Sequence, residues 1–103
     1  MVAQRKTLGL GSSKSKSAED FINAARKLED KGLIDRAISQ LKQGTEQNLT
    51  HALIWAKLGR LQMTAFQYDD AVKSFQQSLN SDSELEIAIK FSQELEDTLV
   101  WSL

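Results

Sequence analysis

The sequence predicts an all-α protein built from two antiparallel helical hairpins and a solitary last helix. Three observations lead there. No proline occurs in the 103 residues, while Ala, Leu, Gln, Lys and Glu are abundant, a composition that suits helix better than sheet. Apolar residues recur at the three- and four-residue spacing of one buried helix face in successive blocks. The interruption that holds Gly32 is only a few residues long, so the helices on either side of it must be antiparallel neighbours.

A chain of this length is one small domain that buries about two thirds of its unfolded surface. It contains no cysteine, so disulfides and thiolate metal sites are not available to it, and a reducing compartment suits it. No apolar run approaches the roughly 20 residues of a membrane-spanning helix, and residues 1–16 lack the continuous apolar core of a secretory signal. A cytoplasmic location is therefore expected, and Met1 without a tag favours a whole protein. The net charge of −1 conceals a segregation: residues 1–17 carry +4 and the remainder −5.

Residues 1–16 hold two glycines, several serines and lysines and no helical or strand period. Such a segment cannot offset its ordering entropy by apolar burial and is expected to be disordered. The alternatives are a targeting peptide, or a recognition arm for an anionic partner that grips through Leu8 and Leu10. Ser17 begins the folded part, 17–103: its hydroxyl is placed to accept from the Asp20 N–H, and Glu19 and Asp20 lie where the helix dipole favours acids. Phe21, Ala24, Ala25 and Leu28 form the stripe of a first helix over 18–31, which Gly32 ends. Leu33, Ile34, Ala37, Ile38 and Leu41 turn inward from a second helix that ends near Gln47, with Gly44 expected to fray its last turn. Asn48 and Thr50 mark a turn and a fresh N-cap.

The third helix covers 51–65, with Ile54, Trp55, Leu58, Leu61 and Gln62 on successive turns. The fourth starts near Tyr68 and turns Ala71, Val72, Phe75 and Leu79 inward. Ser83 and Glu86 have the spacing of a capping box, in which each satisfies an exposed backbone N–H of the other. That box is expected to open a fifth helix over 84–100, with Ile87, Ala88, Phe91, Leu95 and Leu99 as its inner stripe.

Within this order lies a repeat. The shift that lays Phe21 on Trp55 also lays Ala25 on Gly59, Ala37 on Ala71 and Leu41 on Phe75. Apart from Ala24 on Leu58, large falls on large and small on small. Close packing explains the pattern: small residues let the two helices of a pair approach, and Trp55 and Phe75 fill the space to either side. Trp55-x-x-Leu58-Gly59 followed by Ala71-x-x-x-Phe75 resembles the tetratricopeptide repeat (TPR) family. The family's period, about 34 residues, is the same as this shift. Tyr68-Asp69-Asp70-Ala71 is similar to the family's usual start of its second helix, and Asp82 to the acid before its closing turn. Gln62 and Ser83 stand where the family pattern has Tyr and Pro, and the first copy lacks the Trp and the Gly. The resemblance covers repeat one over 18–51 and repeat two over 52–85. It implies a right-handed stack whose open end the last helix caps.

It also implies a function, non-catalytic protein binding as an adaptor, assembly factor or small chaperone-like subunit. In the family the first helix of each pair lines a concave groove. By that pattern Ile22, Arg26 and Glu29 stand beside Leu53, Ala56, Arg60 and Met63, and Ile87 and Lys90 complete the wall. Arg26 and Arg60 are one period apart and so take the same place in successive repeats. Aligned guanidinium groups match carboxylates, and the flanking apolar residues would hold apolar side chains, so the expected ligand is an acidic amphipathic peptide or helix. The alternative leaves both arginines solvated or paired with nearby acids such as Glu29 and Asp30. None of these positions is the asparagine that the family's carboxylate clamp needs, so binding of chaperone tails is not expected.

Two repeats are few, since about three are usual for stability; the fifth helix or a second subunit must cover the rest. Leu99, Val100, Trp101 and Leu103 place four large apolar groups in the last five residues. Either Trp101 folds back on the body or this end self-associates as a homodimer. Nucleic-acid contact through the basic tail is a further alternative, which the acidic body disfavours. No enzyme activity, cofactor or metal is expected. His51 has no second histidine and falls at a helix junction. The pairs Glu29-Asp30 and Asp69-Asp70 are adjacent in sequence, and neighbours on a helix do not face each other. Gly9 and Gly11 lack the flanking strand and helix of a phosphate-binding loop.

Overall fold

The first turn of each helix leaves backbone N–H groups without partners, and how the chain satisfies them sets where each helix begins. A computed structural model describes residues 17–101; the readings made on residues 1–16 and on Leu103 lie outside the described residues. Helix α1 (Ala18–Asp30) begins at Ser17, whose Oγ accepts from the Asp20 N–H at 3.2 Å. The Asp20 carboxylate accepts in return from the Ser17 N–H at 3.1 Å, so the cap is a reciprocal box. The helix ends in a Schellman turn, the Leu33 N–H donating to Leu28 O and the Gly32 N–H to Glu29 O, with Gly32 at φ 78°.

The remaining helices are α2 (Ile34–Gln47), α3 (Ala52–Thr64), α4 (Tyr68–Ser81) and α5 (Glu86–Trp101). Their bounds carry the repeat. Both ends of α1 recur one period later in α3, both ends of α2 recur in α4, and α5 starts one period after α3. The turn repeats as well: the Gln67 N–H donates to Gln62 O and the Phe66 N–H to Met63 O, with Phe66 in the place of Gly32. Phe66 adopts φ 63°, a region where a side chain costs about 1 kcal/mol. Its exposed ring meets Tyr68 edge to face, centroids 6.1 Å apart.

Paired helices close because small residues lie between them. Ala25, Ala37 and Ala71 are buried, and a Cβ added to Gly59 would lie 2.9 Å from Cε1 of Phe75. The same constraint reaches Gly44, where a Cβ would run into Ile54 and lie 2.8 Å from Cγ of Phe21. Gly44 is thus a close-approach position between helices rather than a point of fraying, and α2 continues through it to Gln47. Phe21, Ala25, Ala37, Ile38, Leu41, Ile54, Leu58 and Leu61 form one core cluster among α1, α2 and α3. A second cluster, Ala71, Phe75 and Leu95 with Met63, Val72, Phe91 and Leu99 against it, joins α3, α4 and α5.

Two further local expectations are corrected, and one of the two alternatives at the C-terminal end is ruled out. Thr50 does not cap α3; His51 holds the N-cap place and makes no side-chain capping bond. The loop before α3 is held instead by Asn48 Nδ2 donating to Gly44 O at 2.9 Å and by Trp55 Nε1 donating to Leu49 O at 2.8 Å. The Ser83 and Glu86 box is replaced by a turn that Asp82 organises, its Oδ1 accepting from the Glu84 N–H at 3.0 Å and its backbone O from the Leu85 N–H. That turn delays α5 to Glu86. Trp101 does not fold back. The helix runs through it with Ala88 and Leu95 buried on the inner side, and a residue two places beyond Leu99 points about 200° away from that stripe. Trp101 is 87% exposed and Val100 64%. Among the described residues no helix is long and apolar enough to cross a membrane.

These contacts predict opposite effects at two positions. Gly44→Ala gains about 1 kcal/mol of helix propensity but is expected to lose about 1–3 kcal/mol to overpacking, for a net loss. Phe66→Gly relieves the left-handed backbone and is expected to gain about 0.5–1 kcal/mol. Urea unfolding of both variants measures this, and a Gly44→Ala protein as stable as the parent would mean that the contact with Phe21 and Ile54 is slack.

Candidate functional site

Because α1 and α3 are equivalent helices of successive repeats and touch each other directly, residues at matching positions converge on one side of the molecule. They enclose a cleft of about 280 Å³. Ile22, Arg26, Glu29 and Asp30 come from α1, Lys57 and Arg60 from α3, and Leu41 and Leu61 contribute to its apolar lining. The two arginines, equivalent by register, are in different situations. Nη2 of Arg60 donates to Oε1 of Glu29 at 2.8 Å, a bridge between α1 and α3 in which both side chains are about three quarters covered. Arg26 is exposed and makes no ion pair with the described residues.

The Arg60–Glu29 pair cancels its own charge, leaving Arg26 and Lys57 at the mouth against Asp30. Partial exposure and mobile ions in solution weaken such a pair, so its role is to fix Arg60 across the cleft more than to stabilise the fold. Half of the pairing anticipated for solvated arginines is therefore present, at Arg60 and not at Arg26.

Of the nine residues that register assigns to a groove, Ile22, Arg26, Glu29 and Arg60 meet at this cleft. Ala56 does not belong to it: it is fully buried, and no ligand reaches it. Met63 is likewise withdrawn, packed into the cluster of Ala71, Phe75 and Leu95 where α5 lies against α3 and α4. Leu53 and Ile87 are half-buried elsewhere. Lys90 stands with Nζ 5.5 Å from the centroid of the Phe91 ring, away from the cleft. The expected wall stops at α3 because α5 packs inward on Met63 and its own stripe. Lys57 was missed by register alone. It lies three residues before Arg60 on the same helix, close enough to share that face.

The position where the family pattern has a tyrosine is structural here. Gln62 is buried, and Ser74 of α4 donates its hydroxyl to Oε1 of Gln62 at 2.6 Å. Among the described residues no group of three or more His, Cys, Asp or Glu side chains is arranged to hold a metal ion. No protein-family model matches the chain, and no curated protein matches it.

A double-mutant cycle on Glu29→Gln and Arg60→Gln is expected to return a coupling of no more than about 1 kcal/mol, falling as salt is added. A larger, salt-insensitive coupling would show the bridge to be a principal tie between α1 and α3.

Proposed function

We propose that the chain is a tetratricopeptide-type protein-binding module, non-catalytic and cytoplasmic, that holds an acidic segment of another polypeptide in the α1–α3 cleft. The observation that carries this reading is the pairing of an apolar lining with two unneutralised cations, Arg26 and Lys57, between helices that occupy equivalent places in successive repeats. Arg26 offers a planar fork to a carboxylate, Lys57 a second positive charge one helix away, and Ile22 an apolar contact beside them. Glu29 then acts as an internal competitor: it occupies Arg60, which a ligand carboxylate of sufficient charge recruits from it. The cleft is small for a drug-sized molecule, which favours side chains of a peptide as its occupants.

The test is the affinity of a helical peptide rich in Glu and Leu, followed by fluorescence anisotropy. Arg26→Glu with Lys57→Glu is expected to weaken binding about tenfold or more, and Glu29→Gln to strengthen it several-fold by freeing Arg60. Equal affinity for all three proteins would sink the reading. A second reading, self-association through the end of α5, is favoured by the exposure of Val100 and Trp101. It requires a light-scattering mass that rises with concentration and loses that rise on Trp101→Ala.

A further inference from the structure

We propose that the groove between α4 and α5 is a second docking surface, shaped for a basic amphipathic helix of a partner protein that lies on α5 as α4 lies on α3. The inference is independent of the α1–α3 cleft. It rests on the repeat, on burial and on charge.

The groove has a volume of about 170 Å³ and is lined in part by Val72, Phe75 and Leu79 of α4 and by Leu95, Glu96 and Leu99 of α5. Counting back one repeat period gives Ile38, Leu41 and Thr45 of α2 with Leu61, Gln62 and Ala65 at α3, and α4 packs on the α3 side of that set. There Ser74 of α4 donates to Gln62 and the ring of Phe75 lies on Gly59, while α4 stands off α2 across a cleft of about 390 Å³ lined in part by Lys42, Thr45, Lys73 and Gln77. Cover makes the two grooves differ. Ile38, Thr45 and Gln62 are each less than 5% exposed, whereas Val72 and Leu79 are half-buried and Glu96 is exposed. The chain thus builds the same helix seat on α3 and again on α5 and, among the described residues, fills only the first.

The rim of the open seat is apolar where a helix would press on it. Ile89 and Val100 fall on the same side of α5 as Glu96, at helical spacing, and both are exposed. Charge then selects the occupant. Residues 18–81 carry eight bases and eight acids, whereas residues 82–101 carry six acids against Lys90 alone, so the whole acidic excess of the folded part lies at this end. Glu96 stands where Gln62 receives a hydroxyl proton donor, and a carboxylate at that point is matched by an ammonium or guanidinium. The partner is accordingly a helix with apolar residues toward Val72 and Leu79 and with Lys or Arg toward Glu96.

The experiment uses the full chain and a lactam-bridged helical peptide of the α4 sequence, residues 68–81, carrying Asp69→Lys, Asp70→Lys and Ser74→Lys. A twin with Glu at those three places is the control, and calorimetric titration at low salt is the readout. One-to-one binding of the basic peptide is expected, weakened about tenfold by Glu96→Lys and unchanged by Arg26→Glu, with little binding of the acidic twin. Glu96 is exposed, so its replacement leaves the fold intact, which circular dichroism checks. No binding, equal binding of the twin, or indifference to Glu96→Lys overturns the proposal. So does a tenfold gain in affinity on deleting residues 1–16, which would assign the seat to the chain's own basic tail. A dimer of the free protein that dissociates on Glu96→Lys would assign it to a second copy and also overturn the proposal.

Discussion

The structure depends on the packing of α3, the helix that touches all four others. A helix so surrounded leaves only the side of Lys57 and Arg60 for charge, and Ile54, Ala56, Leu58, Gly59, Leu61 and Gln62 are buried around the rest of its circumference. Gly59 lets α4 come close enough for Phe75 to lie on the α3 backbone. Two hydrogen bonds then fix the register of the pair, Ser74 to Gln62 at 2.6 Å and Ser78 Oγ to Ala52 O at 2.7 Å. Shape brings the helices together, and these polar bonds, buried or nearly so, decide which turn meets which.

Much of this was legible because the sequence patterns size as well as polarity. Ala25, Ala37, Gly59 and Ala71 mark where helices approach, and the repeat spacing recovers helix bounds that periodicity alone leaves loose. What could not be read depends on contacts made at a distance. Gly44 looks like a helix breaker until Phe21 and Ile54 are found against it. Ser83 and Glu86 have the spacing of a box, yet Asp82 sits one residue earlier and its shorter-range turn takes precedence. Ala56 and Met63 are placed correctly on α3 by register, but their exposure is decided by how neighbouring helices pack, which no local pattern encodes.

The charges obey a simpler logic than a continuous basic groove would require. Across the α1–α3 cleft opposite charges are interleaved and partly neutralised, leaving Arg26 and Lys57 without an ion pair among the described residues. The other end of the stack is predominantly acidic, with six acids against Lys90 along α5 and its leading turn. A molecule arranged in this way presents two surfaces of different character to its surroundings, separated by the tightly packed middle that α3 provides.

The order of contacts along the chain bears on how the molecule comes apart. Each helix packs mainly on its neighbours in sequence, a low-contact-order arrangement that folds in about microseconds to milliseconds and opens in segments rather than all at once. α5 holds to the rest through a small apolar cluster, whereas α4 is joined to α3 by the hydroxyl bonds of Ser74 and Ser78 as well. Its amide protons are therefore expected to be the first outside the loops to exchange with solvent, and its release would bare Phe75 and Met63 while the two hairpins persist. Stability in such a stack is a property of position, greatest at the middle helix and least at the last.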